Sequence, residues 1–197
     1  MYDEPGFRPA DRWQRFVAAL SLWGAGGMAM AHPVHAGAGF GSGLLHPLIG
    51  IDHLLAMITA GLLLGRHLRR PVSGVLIFVA AFGSGLILAS PGRVLPGVEY
   101  ALIVTVLLAG LILWRVRTLS VRGLLGGLTL AAGLHGLAHG FEAPAMQASD
   151  WRSGTLLTAL IVTTLAAGIG HALRDRPIWL QRTGLGVFGA GMLLLGS

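Results

Sequence analysis

Six long apolar segments succeed one another after residue 43, and short polar connections separate them. Each approaches the roughly 20 residues with which a helix, rising 1.5 Å per residue, spans about 30 Å of hydrocarbon. Backbone groups in lipid must bond internally, so the segments are predicted to be helices. The pattern predicts an all-α polytopic membrane protein with a six-helix transmembrane bundle over residues 44–197. The predicted helices cover residues 44–65, 72–90, 97–114, 121–142, 154–173 and 178–196.

The first 31 residues have the pattern of a cleaved secretory signal peptide. Three arginines precede a short apolar run over residues 16–30, and Ala29-Met30-Ala31 supplies small residues for cleavage. Residues 32–43, which are rich in glycine and alanine, are then expected to form a flexible periplasmic tail. The alternative is an uncleaved first helix, which would give seven helices instead of six.

The composition agrees with a membrane protein. Hydrophobic residues make up 54% of the chain and charged residues 11%, whereas a soluble domain carries about 25% charged residues. The chain has 31 glycines, a residue that lets membrane helices approach closely. It has no cysteine, so disulfides and thiolate metal ligands are excluded.

The arginines predict the orientation of the bundle. The first, third and fifth connections carry clusters of arginine, whereas the second and fourth hold only Arg93 and Arg152. Positive charge is retained on the cytoplasmic side, which predicts an inner-membrane protein with a periplasmic mature N-terminus and a periplasmic C-terminus. Arginines spread over short connections do not form the single basic face of a nucleic-acid-binding protein, so no nucleic-acid partner is expected.

Ionisable residues interrupt the first apolar segment, in the stretch LHPLIGIDHLLAM. On one regular helix, His46 and His53 would lie within about 20° of each other, because seven residues at about 100° make almost two turns. Asp52 would then point about a quarter-turn away from His53. Pro47 fits the first turn of such a helix, where its missing N–H is harmless.

A second group lies at the outer end of the fourth predicted helix, in GLHGLAHGFEAP. His135, His139 and Glu142 follow one another at i, i+4 and i+7 and therefore form one stripe. Glu99, at the start of the third helix, falls at the same outer level. Ionisable residues are expensive in a membrane and usually face the bundle interior, so these residues predict a shared functional site.

The donor set suits a divalent transition-metal cation. Imidazole is a ligand for nickel, copper and zinc, and carboxylates balance the charge. Cleavage after Ala31 would add the histidines of the tail, His32 and His35, as a further metal-binding group. A proton relay through the same residues is an alternative. His171 and His67 are interpreted as interfacial and surface residues, respectively.

The two stretches also resemble the signature motifs of the HupE/UreJ family of hydrogenase and urease accessory membrane proteins. His46, Pro47, Gly50, Asp52 and His53 match the first motif, approximately HPxxGxDH. His135, Gly136, Ala138, His139, Gly140 and Glu142 match the second, approximately HGxAHGxE. The resemblance also extends to Glu99 after a proline. It implies a secondary permease for nickel that serves the maturation of nickel enzymes.

One position departs from the family pattern. A histidine is expected in the middle of the fifth predicted helix, before Ala-Ala-Gly, where this chain has Leu165, and His171 comes later. A metal ligand on that helix is therefore in doubt.

Other functions stay open at this point. An intramembrane metal-dependent enzyme could use the HxxxH stripe, and cobalt, zinc or copper could replace nickel as cargo. The chain has no GxxxxGK[ST] loop, so transport would be passive, proton-coupled or potential-driven. No organic cofactor is expected, and a homo-oligomer is possible.

Overall fold

The computed structural model describes residues 39–93, 95–115 and 119–196, and these residues form an all-helical bundle. The expected signal peptide, residues 1–31, and the first part of the tail lie outside the described residues. The prediction of an all-α polytopic membrane protein is confirmed. The helices are α1 (Phe40–Ile49), α2 (Ile51–His67), α3 (Pro71–Leu88), α4 (Val98–Arg115), α5 (Val121–Glu142), α6 (Ala148–Ala172) and α7 (Pro177–Leu195).

The described residues contain up to six segments that are long and apolar enough to cross a membrane, when α1 and α2 are taken together. Helices α3 to α7 are each long and apolar enough to cross a membrane alone. Helices α1 and α2 meet the same criterion only as a pair, bent by 83° at their junction. The number of crossings therefore agrees with the sequence pattern, but the first crossing is broken.

The break at Gly50 corrects the prediction of one regular helix over residues 44–65. Gly50 has an extended conformation (φ −72°, ψ 109°), and α2 starts again with the Leu54 N–H donating to the Gly50 carbonyl at 2.9 Å. Pro47 lies inside α1 rather than in its first turn, and proline removes a helical hydrogen bond. The predicted shared face of His46 and His53 was therefore wrong, because the two residues lie on different helices.

Helix α1 is held against α6 through its own backbone. Pro47 has no N–H to offer the Gly43 carbonyl, and the hydroxyl of Thr155 lies 3.1 Å from that oxygen and 3.0 Å from the Trp151 carbonyl, so its one proton is shared between the two acceptors. The hydroxyl of Thr158 donates to the Leu44 carbonyl at 2.6 Å. A Cβ at Gly43 or at Gly154 would collide with the facing backbone, so only glycine allows this approach. The helix begins at Phe40, so it includes residues that the sequence assigned to the flexible tail.

Helix α6 begins at Ala148 instead of residue 154. The polar residues that suggested a loop are the first turns of this helix. Arg152 donates from Nη2 to the Ala89 carbonyl at 2.8 Å, just after the end of α3, where a cation is favourable. The earlier start brings Trp151 into the helix, with its side chain buried.

Glycines let three helix pairs pack with their backbones close together. The pairs are α2 with α6, α3 with α5, and α4 with α7, and they make the most extensive contacts of the bundle. Membrane helices associate by van der Waals contact, which small residues at the interface favour. At several glycines the backbone of the facing helix lies so close that a Cβ would collide with it. They include Gly61, Gly65, Gly85, Gly110, Gly136, Gly140, Gly170 and Gly184.

Candidate metal centre

The histidine stripe of α5 is turned away from α3 by glycine packing. Gly136 and Gly140 lie against the carbonyls of Phe82 and Leu86, so α5 presents these glycines to α3. His135 and His139 are buried, with 3% and 1% of their surface exposed. The stripe faces α1 and α2, which carry the first motif.

An outer group of three ligand-bearing side chains forms where α1 meets the end of α5. The Nε2 atom of His46 lies 2.8 Å from Glu142 Oε2, and Nδ1 of His139 lies 3.4 Å from the same oxygen. The three residues each offer a ligand atom within 4.8 Å of the others. The side chains of His46 and Glu142 are 37% and 49% exposed, so this group is accessible from outside the bundle.

An inner group continues from the outer one through His139. The ring centroid of His53 lies 4.0 Å from that of His139 and 5.2 Å from that of His135. All three side chains are buried. The described residues offer no hydrogen-bond partner to His53 Nε2, His135 Nδ1 and His139 Nε2.

The unpaired nitrogens of the inner histidines have the chemistry of metal ligands. A buried polar atom without a partner costs about 1–3 kcal/mol, and folded proteins rarely leave one so. Three such nitrogens in adjacent imidazole rings are an unusual concentration. Lone pairs of imidazole nitrogens are of the kind that coordinates transition-metal ions, although among the described residues only the outer group brings three ligand atoms within 4.8 Å of one another.

Asp52 contacts the ring of His53 directly. Its Oδ1 atom lies 2.7 Å from His53 Nδ1, although the angle of this contact is outside hydrogen-bond geometry. A carboxylate beside one ring nitrogen of a histidine commonly orients the ring and raises the basicity of the other nitrogen. The arrangement leaves His53 Nε2 for an ion.

Three residues around the centre were not identified from the sequence. Trp151 lies 4.9 Å from His46 between ring centroids, and Phe82 lies 5.6 Å from His139. Thr105, on α4, lies 2.8 Å from His135 Nε2. Each looks like an ordinary interface or apolar residue in the sequence, and no local signal indicates that it contacts the histidines.

The structure does not bring the remaining candidate residues to the centre. Glu99 is exposed at the start of α4 and belongs to neither group of side chains. His171 is near the end of α6, where its backbone packs against Gly65. The ring of His67 contacts the Leu63 carbonyl through Nδ1 at 3.0 Å. His32 and His35 lie outside the described residues.

The family model described as HupE / UreJ protein matches residues 20–195, which include every residue of both groups. The chain belongs to the HupE/UreJ family. Protein HupE of Rhizobium leguminosarum bv. viciae is similar, with 30% identity over 164 residues that cover 80% of this chain and 84% of the relative. No solved structure matches the chain.

Membership of the HupE/UreJ family confirms the resemblance carried by the two motifs. The protein is a multi-pass membrane member of a family of hydrogenase and urease accessory proteins. The two motifs, distant in sequence, meet in the fold, since His46 contacts Glu142 and His53 contacts His139. The site therefore combines an accessible group that contains a carboxylate with a buried set of imidazoles.

Proposed function

We propose that this HupE/UreJ protein is a secondary permease that imports a divalent transition-metal cation, nickel first among them, for the maturation of nickel enzymes. The observation that carries the proposal is the outer group, in which His46, His139 and Glu142 offer ligand atoms within 4.8 Å of one another. The buried imidazoles of His53 and His135, next to His139, supply further nitrogens without hydrogen-bond partners among the described residues.

The donor chemistry supports a borderline metal ion. Neutral imidazole suits nickel, copper, zinc and cobalt, whereas magnesium and calcium prefer oxygen ligands throughout. Glu142 and Asp52 offset the two positive charges of such an ion. Membership of the HupE/UreJ family favours nickel within this group, and cobalt, zinc and copper are the competing cargoes.

Sharing of His139 supports two successive binding positions. The ion first meets His46, Glu142 and Nδ1 of His139, and then Nε2 of His139 together with His53 and His135. A neutral imidazole has one lone pair, so His139 can serve the outer position through Nδ1 and the inner position through Nε2 only if its ring proton moves from Nε2 to Nδ1 as the ion passes. A transported ion must also be able to leave each position.

The arginine distribution supports import from the periplasm. By the positive-inside rule it predicts that both motifs lie in the outer half of the inner membrane, with the termini of the mature chain outside. A cytoplasm-negative potential favours entry of a divalent cation by roughly 5 kcal/mol per 100 mV, since each charge contributes about 2.3 kcal/mol. Such a permease needs no nucleotide.

The test is uptake of radioactive nickel into proteoliposomes that contain the purified protein. We expect saturable uptake, reduced by excess cobalt or zinc, and no uptake by the His135→Ala/His139→Ala double variant. His67→Ala is the matched control, because that histidine lies away from both groups. Normal uptake by the double variant would refute this site. One tightly retained metal ion without uptake would favour the intramembrane enzyme.

A further inference from the structure

Helix α4 contributes one side chain to the histidine centre. The Oγ1 atom of Thr105 lies 2.8 Å from Nε2 of His135 and 2.7 Å from the carbonyl oxygen of Leu102. Helices α4 and α5 share few other contacts, since α4 packs mainly against α7 and α2. The contact between Thr105 and His135 is therefore a specific link between otherwise loosely packed helices.

The two distances favour one direction for the hydrogen bond to the histidine. A carbonyl oxygen only accepts, so the contact with Leu102 uses the single hydroxyl proton of Thr105. The same hydroxyl oxygen then has only lone pairs to offer His135. This arrangement favours the tautomer in which Nε2 of His135 carries the ring proton and donates it to Thr105.

A neutral imidazole has one N–H and one lone pair, so protonation of Nε2 leaves the lone pair on Nδ1. Nδ1 of His135 is buried, and the described residues give it no hydrogen-bond partner. The ring that carries it lies 5.2 Å from the ring of His53, at an interplanar angle of 84°. The nitrogen with the lone pair, Nδ1 of His135, therefore belongs to the inner group of buried histidines.

We propose that Thr105 is a positioning residue for metal binding: its hydroxyl oxygen accepts the Nε2 proton of His135 and so holds Nδ1 as the ligand atom. The inference rests on the proposed function in one respect, that His135 ligates the transported ion. Partners of this kind orient metal-ligating histidines, and their loss typically reduces metal affinity 10- to 100-fold.

The decisive measurement is the tautomer of His135 in the metal-free protein. Nitrogen-15 NMR of histidine-labelled protein distinguishes a protonated Nε2 from a protonated Nδ1, and the signal of His135 is assigned by its loss in His135→Gln. We expect protonated Nε2 in the wild-type protein and in Thr105→Ser. In Thr105→Val, which keeps the side-chain shape but lacks the hydroxyl, we expect a mixture of tautomers.

Nickel binding and uptake supply the second readout. Thr105→Val should raise the nickel concentration for half-maximal binding about tenfold, and Thr105→Ser should restore it to within about twofold of wild type. Thr183→Val is the matched control, because Thr183 is exposed on α7 and bonds only to the Trp179 carbonyl among the described contacts. It should change neither the tautomer nor nickel binding.

The outcomes separate the two proposals. A protonated Nδ1 in wild-type His135, or a tautomer that does not respond to Thr105→Val, would overturn the role of Thr105. The wild-type measurement decides this even where the valine variant fails to fold. A tautomer that follows the hydroxyl in a protein that neither binds nor transports nickel would support the hydrogen bond and refute the permease.

Discussion

Both motif-bearing regions carry histidine and a carboxylate, but the first lies on a broken helix and the second on a continuous one. The first region breaks at Gly50, with an 83° bend between α1 and α2. The second is the unbroken end of α5, locked against α3 by Gly136 and Gly140. The comparison teaches that α5 supplies a fixed row of ligands, whereas the break allows His46 and His53 to approach that row from two directions.

The largest expected effect is that of His139→Ala, and it should exceed the effect of His46→Ala. His139→Ala should abolish nickel uptake, because His139 belongs to both the outer and the inner group. His46→Ala should leave measurable uptake at high nickel, because the inner imidazoles remain. Proteoliposome uptake over a range of nickel concentrations makes the comparison. Equal loss in both variants would remove the distinction between the two groups.

Asp52→Asn should have the next largest effect. The amide keeps the shape but loses the charge beside Nδ1 of His53, so we expect a 10- to 100-fold loss of nickel affinity. Isothermal titration of the purified variant with nickel measures this change. Glu99→Gln is the comparison on α4, where the carboxylate is exposed and outside the centre. A larger loss in Glu99→Gln would contradict the role of Asp52 and show that α4 contributes a metal ligand.

The fixed character of α5 can be tested by one methyl group. In Gly136→Ala the new Cβ would collide with the Phe82 carbonyl, which should force α3 and α5 apart and cost about 1–3 kcal/mol. Gly126→Ala is the matched control. Gly126 lies on the same helix as Gly136, and a Cβ added there would meet nothing within 4 Å. Thermal unfolding in detergent compares the two. Equal melting temperatures would contradict the close packing.

The smallest expected effect concerns the N-terminal tail. Replacing His32 and His35 by alanine should weaken uptake at low nickel and leave the maximal rate nearly unchanged, because a tethered metal-binding group raises only the local concentration. Intact-mass measurement of the mature protein comes first. Retention of residues 16–31 would remove the free amine on which this prediction depends.

Local sequence patterns predicted the helices well, because lipid leaves the backbone few alternatives. The spacing of His135, His139 and Glu142 predicted one stripe, and α5 is continuous there. The break at Gly50 was missed because Pro47 also fits the first turn of a helix. That interpretation fails when the helix already starts at Phe40.

Contacts between helices were beyond the reach of the sequence. Nothing in the local pattern of α4 indicates that Thr105 faces His135, since the choice of neighbouring helix depends on packing along the whole bundle. Trp151 was missed for a different reason. Its polar neighbours suggested a loop, whereas Arg152 donates from Nη2 to the Ala89 carbonyl, just beyond the end of α3.

The threonine bonds to the backbone of α1 have a mechanical consequence. Because Thr155 and Thr158 hold the carbonyls of Gly43 and Leu44, we expect α1 to move as a rigid body with α6, while Glu142 moves with the α3–α5 pair. The outer ligands then lie on two rigid bodies, with His46 on one and Glu142 on the other. Separation of these bodies would expose the outer group and break its ligand set at the same time.

The chain has no native cysteine, so spin labels can be introduced in pairs without background. We expect the distance between labels on Leu45 and Ser153 to stay constant when nickel is added. The distance between labels on Leu45 and Leu130, across the boundary between the two bodies, should change. A change in the first distance would mean that α1 hinges at Gly50 independently of α6.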